Sequence, residues 1–161
     1  MFLRFLIAAV LLISARAEWK PTRIPEADAP TSERWLRCHI RVPDDMAAHE
    51  GRDLWRDSIT FAVRGATGRF AVWINGRAIA EGDAAKVRRF KVPPDVLEKS
   101  RFNSFVIELH GAMADAPILA GYFDELILAG DWEVSTTRPE PAELAALATQ
   151  PARAVFTEAR T

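Results

Sequence analysis

The chain has 161 residues, of which 49% are hydrophobic and 27% charged, and its formal net charge is −1. That length is enough for one domain with a sizeable core. The 21 basic residues are balanced by 22 acidic ones and form no basic run, which argues against nucleic acid as a partner.

The first 17 residues, MFLRFLIAAVLLISARA, are typical of a secretory signal peptide. Arg4 supplies the positive charge, residues 5–13 form an uncharged apolar run, and residues 15–17 read A-x-A. The apolar run is far shorter than the ~20 residues of a membrane-spanning helix. We therefore expect cleavage after Ala17, a secreted or periplasmic protein, and no membrane association afterwards. Loss of Arg4 and Arg16 would change the net charge to −3.

Residues 18–32 are rich in Pro, Glu, Asp and Ala, and we interpret them as a lead-in arm. A strand follows in WLRCHIRVP, where apolar and polar residues alternate with the period of two that marks one buried face. Cys38 lies on the buried side of this strand. It is the only cysteine, so no internal disulfide forms. A buried structural thiol is the simpler interpretation, and a reactive thiol is the alternative.

Further strands are predicted by the same periodicity. Asn75-Gly76 lies between two β-prone runs and predicts a hairpin, because a type I′ turn needs positive φ at both central residues. Pro94 and Asp95 are placed to open a single helical turn. The segments that we expect to be strands are 57–65, 69–75, 77–82, 87–93, 103–111, 118–123 and 125–128.

These segments predict an all-β fold, an antiparallel jelly-roll sandwich of about eight strands over residues 33–134. No amphipathic helix separates the strands, so an alternating βαβ fold is excluded. Residues 135–161 are rich in Ala, Thr and Pro. We expect a flexible tail there, with a short helix starting at Pro141.

The order of motifs resembles the galactose-binding-like jelly-roll domain found in secreted glycosidases and sialate O-acetylesterases. The resemblance rests on WLR at 35–37, VWINGR at 72–77, FKVP at 90–93, Leu97, Asn103 and VIEL at 106–109.

The chain more closely resembles the accessory N-terminal domain of large secreted bacterial proteins that also carry a sugar-dehydrogenase-like propeller and a haem-binding CxxCH module. The matching pieces, which fall within residues 33–134, are WLRCHIRVP, GRDLW, INGRAIAEG, KVPPDVLEKSRFN and APILAGYFDELILAGDWEV. The loops GDAAKVRR and HGAMADAP depart from the family pattern, which puts in doubt any ligand site held there. The chain has no CxxCH, so no covalent haem is expected.

No catalytic motif is present. The serines lack a G-x-S-x-G context, and no pair of carboxylates is marked out by spacing. His39, His49 and His110 have no zinc-ligand spacing with another His or Cys. We expect no enzyme activity, no cofactor and no metal, and the resemblance also implies no activity.

Carbohydrate binding needs aromatic faces that stack on sugar C–H groups and polar groups that pair with hydroxyls. Each candidate also has a structural interpretation: the Trp side chains as core, Asn75 for its positive φ, the arginines as a solvated or ion-paired face, and Tyr122 as a rim residue. Trp55 is a further candidate. The predicted ligand-binding residues are Trp35, Arg37, His39, Trp73, Asn75, Arg77 and Tyr122.

Two functions from different classes follow. The first is a secreted, non-catalytic carbohydrate-binding-like module whose partner is a glycan. The second is a structural or docking domain that packs against a partner enzyme, which an exposed apolar strip would favour. A third option is a remnant of a longer multidomain protein, since the relatives continue into a propeller where this chain ends.

Overall fold

A computed structural model gives the fold. It describes residues 16–27, 32–42, 48–49, 52–53, 59–86, 89–93, 95–98, 101–121, 124–145 and 154–160. Of residues 48–49, 52–53, 124 and 154–160, it describes the backbone alone. The predicted signal peptide lies almost entirely outside these ranges. No helix within the described ranges has the length and apolar character to cross a membrane.

Strands dominate the described residues. They are β1 (Lys20–Ile24), β2 (Arg34–Arg41), β3 (Ala48–His49), β4 (Arg52–Asp53), β5 (Thr60–Ala62), β6 (Arg69–Ile74), β7 (Arg77–Asp83), β8 (Arg89–Lys91), β9 (Phe102–His110), β10 (Ile118–Ala120), β11 (Asp124–Ser135) and β12 (Ala154–Arg160). One short helix, α1, spans Pro141–Ala145. The predicted all-β antiparallel sandwich is confirmed.

The sandwich is one hydrogen-bonded sheet folded into two layers. The strand order is β7-β6-β9-β2-β11-β10-β5-β8, and β1 and β12 also pair with β11. All of these pairings are antiparallel. The layer that carries β7, β6, β9 and β2 is called layer one here, and the layer that carries β10, β5 and β8 is called layer two.

Strand β11 belongs to both layers. Its residues 124–130 pair with β10 and β12, and its residues 130–135 pair with β1 and β2. The change of partners falls at Gly130, whose φ of 117° is open to glycine and strained for other residues. A strand that passes from one sheet to the other forms the corner of such a sandwich.

The core lies between the layers. Phe61 of layer two faces Phe105 of layer one at a ring-centroid distance of 5.7 Å, and Phe90 faces Phe70 at 6.3 Å. Cys38 is fully buried in this core, and burial raises the pKa of its thiol. The described core therefore joins both layers through aromatic contacts.

The sheet includes two strands that lie outside residues 33–134. Residues 20–24 of the predicted lead-in arm form β1, which pairs with β11 over five residues. Within the predicted tail, residues 154–160 form β12 on the other side of β11, and a short helix does start at Pro141. Neither segment shows a strong alternation of apolar and polar residues, so periodicity did not predict these two strands.

Candidate functional site

The outer face of layer one carries most of the predicted ligand-binding residues. Strand register places Glu81, Ala71, Glu108 and Trp35 in one row across β7, β6, β9 and β2. Residues paired across a sheet point to the same side, so this row faces away from the core. The inward neighbours of these residues, such as Leu36 and Ile107, belong to the core.

Trp35, Arg37 and His39 lie on this outer face but are buried, with 4%, 7% and 1% of their surfaces exposed. The Arg37 guanidinium pairs with Glu133 at 2.7 Å and lies 4.1 Å from the centre of the Trp19 ring. The alternation correctly predicted which residues share the face. It could not show that distant parts of the chain cover that face.

Trp73 is the predicted aromatic that remains partly accessible. It lies on β6 opposite Val106 of β9, and Val106 in turn lies opposite Arg37 of β2. The residue is half-buried, so part of its surface is open to solvent. Trp73 can therefore offer an aromatic surface to a ligand.

Asn75 holds the hairpin and ties it to β9. Its φ of 51° and the φ of 79° at Gly76 fit the predicted two-residue turn. Its side-chain amide donates to the carbonyl oxygen of Val96 at 2.7 Å and to Oδ1 of Asn103 at 2.8 Å. Its Oδ1 accepts from the amide of Ser104 at 2.8 Å. These contacts give Asn75 a structural role.

We expect the variant Asn75→Gly to lose about 1–3 kcal/mol of unfolding free energy, because partly buried partners lose their hydrogen bonds while positive φ stays accessible. Asn75→Ala should lose about 1–2 kcal/mol more, since alanine is strained at this φ. Urea denaturation of both variants measures the difference. Equal stability of the two would contradict the role of φ.

Arg77 lies at the exposed end of the hairpin, where its guanidinium donates to the carboxylate of Asp95 at 2.7 Å. That hydrogen bond, followed by one from the backbone of Asp95, holds the pKa of this carboxyl below its ordinary value of 3.8. Both side chains are exposed, so the pair marks the surface rather than an enclosed site.

The Arg77→Gln variant should raise the pKa of Asp95 toward its ordinary value. Because the folded-state pKa is lowered, the stabilisation from Asp95 is present above the unfolded pKa and is lost as pH falls through the folded pKa. NMR titration of the Asp95 carboxyl in both proteins checks the shift. An identical pKa in wild type and variant would show that Arg77 does not cause it.

Tyr122 and Trp55 lie outside the described residues. Five of the seven predicted residues lie at or near the outer face of layer one, and Arg77 lies at the margin of that face. The five are Trp35, Arg37, His39, Trp73 and Asn75.

Three neighbouring depressions that share lining residues, together called the outer groove here, follow one another along β6, β7 and β9. One end has a volume of about 420 Å³ and is lined by Arg69, Ala71, Glu81, Glu108 and His110, with Phe70 and Gly82. A middle part of about 220 Å³ shares Ala71 and Glu81 with that end. A third part of about 340 Å³ shares Trp73 and Ala78 with the middle part.

Polar side chains form one wall of the outer groove. His110 Nε2 lies 2.9 Å from Oε1 of Glu108 and 4.0 Å from Oε1 of Glu33. Arg69 lies opposite His110 in the strand register. This wall offers carboxylate acceptors and a guanidinium donor, which are the complement of sugar hydroxyls. The ligand-type atoms of Glu33, Glu108 and His110 lie within 4.8 Å of one another, but exposed groups of this kind are ordinary, and we assign no ion to them.

The sequence-based prediction missed Arg69, Glu81, Glu108 and His110. A signal existed for Glu108, because Phe105, Ile107 and Leu109 point inward and the residue between the last two must point outward. No such signal existed for Glu81, because a β-bulge shifts the register of its strand.

No protein-family model and no curated protein sequence matches the chain. Among solved structures, it is similar to β-glucuronidase from Ruminococcus gnavus in complex with D-glucaro 1,5-lactone, with 14% identity and a TM-score of 0.38. The apo structure of the same enzyme gives 16% identity and a TM-score of 0.37. In both cases the match covers 65% of this chain and 20% of the other, so this chain spans about a fifth of their length.

Proposed function

We propose that the chain is an exported, non-catalytic carbohydrate-binding module and that the outer groove is its binding site. One observation carries the proposal: the depression lined by the partly exposed Trp73 shares Ala71 and Glu81 with the depression lined by Glu108, His110 and Arg69. An indole face stacks on a sugar ring, and the charged groups replace the water that its hydroxyls lose. The resemblance to galactose-binding-like jelly rolls and the predicted signal peptide also support the proposal.

The alternative, a docking domain that packs against a partner enzyme, predicts an exposed apolar strip. Among the described residues, Phe102 is the one large hydrophobic residue that counts as exposed, with 44% of its surface accessible. That part of the surface gives the docking hypothesis no specific support.

A glycan array with the purified mature chain tests the proposal. We expect specific retention, and a loss of at least tenfold in affinity, about 1.4 kcal/mol, for Trp73→Ala and for Glu108→Gln. Phe102→Ala is the matched control for an exposed aromatic, and Glu125→Gln, a partly exposed carboxylate of layer two, is the control for charge. Both should bind like wild type.

The proposal fails if no glycan retains the protein while circular dichroism shows an intact β fold. It also fails if the two control variants lose as much affinity as the two groove variants.

A further inference from the structure

The third part of the outer groove lies beneath residues 138–145, a segment called the strap here. Its walls are Trp35, Trp73 and Ala78 from the sheet, and Arg138, Pro139 and Leu144 from the strap, with Gly76 and Pro141. This solvent-open depression has a volume of about 340 Å³ and is bordered by both the strap and the sheet. This volume falls within the range of about 300–1,000 Å³ that small-molecule sites occupy.

The strap is held to the sheet by few described contacts. Its helix α1 has five residues and buries none of them, whereas Pro139 before the helix is buried and Ala145 at its end lies close to Gly76. Ser104 Oγ donates to the carbonyl oxygen of Leu144 at 3.2 Å. In the full-length chain the amide of Ala17 donates to Glu143 at 3.4 Å and Arg16 pairs with the same carboxylate at 3.5 Å. The predicted cleavage after Ala17 removes both of these residues from the mature chain. A helix this short has little stability of its own, so in the mature chain its position depends on the Ser104 hydrogen bond and on the packing of Pro139.

Two residues of layer one are buried beside the strap. Trp35 is only 4% exposed and lines the depression that the strap borders. Ser104 is completely buried and donates its hydroxyl to a strap carbonyl. The cover over these residues therefore includes a segment whose short helix buries none of its own residues.

We propose that the strap is a displaceable cover that competes with a ligand for Trp35 and Trp73. The strap closes one end of the outer groove in the free protein. When it moves away, Trp35 joins Trp73 as a second aromatic surface. The identity of the ligand as a carbohydrate rests on the proposed function, but the displacement of the strap can be tested without it.

Hydroxyl-radical footprinting with peptide mass spectrometry tests the displacement. The variant Leu144→Asp places a charge against the groove, and Ala142→Asp places the same charge on the exposed side of α1. We expect oxidation of Trp35 to rise at least threefold in Leu144→Asp and to stay at the wild-type level in Ala142→Asp. Unchanged oxidation of Trp35 in folded Leu144→Asp overturns the proposal.

Ser104→Ala is the second variant, used if Leu144→Asp does not fold. It removes the hydrogen bond to the strap without adding charge, and oxidation of Trp35 should still rise. No rise in this variant overturns the proposal.

Binding assays with cellohexaose, mannohexaose and galactohexaose separate the strap from the proposed function. A stronger affinity of Leu144→Asp than of wild type supports competition, and equal affinity for a bound hexasaccharide overturns it. If Trp35 becomes exposed and the glycan array is also negative, the strap is confirmed and carbohydrate binding is rejected.

Discussion

Arg34→Met is expected to lower the free energy of unfolding by about 3–5 kcal/mol, because it leaves a buried carboxylate without its partner. Arg34 is 1% exposed at the start of β2 and forms a two-point ion pair with Glu26, whose side chain is 8% exposed. It also donates to the carbonyl oxygen of Gly111 at 2.5 Å. The Arg34 side chain therefore connects the start of β2 to the segment after β1 and to the loop after β9. Urea denaturation measures the loss.

Two further variants decide whether the unpaired charge is the cause. Arg64→Ala breaks the exposed pair with Asp115 and should change stability by no more than about 1 kcal/mol. The double variant Arg34→Met with Glu26→Leu removes both charges and should recover part of the loss. If Arg34→Met lies within about 1 kcal/mol of wild type, the N-terminal segment does not depend on this pair.

Phe61→Ala is expected to cost about 3–5 kcal/mol, since it opens a cavity between the two layers. The ring is fully buried and contacts Phe105 at 5.7 Å and Phe90 at 5.5 Å between ring centroids. Loss of the ring therefore removes packing across the layers and along layer two at once. Thermal and urea unfolding of the variant give the cost.

Phe102→Ala provides the comparison for Phe61→Ala. Phe102 is 44% exposed at the end of β9, and its removal should change stability by no more than about 0.5 kcal/mol. Similar costs for the two variants would contradict the two-layer core.

Much of layer one could be predicted from the sequence. The alternation in β2 and β9 identified the inward faces, and Asn75-Gly76 gave both the hairpin and its turn conformation. These predictions succeeded because they depend on local backbone sterics and on the period of two of a strand with a buried face.

The position of Glu81 could not be predicted, because a β-bulge shifts the register of the hairpin. Trp73 pairs with Ala78, whereas Val72 pairs with Ala80, so Ile79 is the extra residue. Counted from the turn without a bulge, Glu81 would pair with Phe70 and point into the core. The bulge moves it opposite Ala71, on the face of the outer groove.

The burial of Trp35 and Arg37 could not be predicted from sequence patterns either. The residues that cover them, Trp19 and the strap, lie far away in the chain and come from segments that showed no strand alternation. Contacts of this kind follow from the three-dimensional fold, not from local periodicity.

The most direct test of carbohydrate binding in the outer groove is an NMR titration of the ¹⁵N-labelled mature chain with a retained oligosaccharide. We expect amide shifts to concentrate at residues 69–73, 78–81 and 108–110, and we expect layer two, at residues 60–62 and 118–120, to stay unchanged. Shifts that concentrate on layer two, or that are absent from the outer groove at saturation, would contradict it.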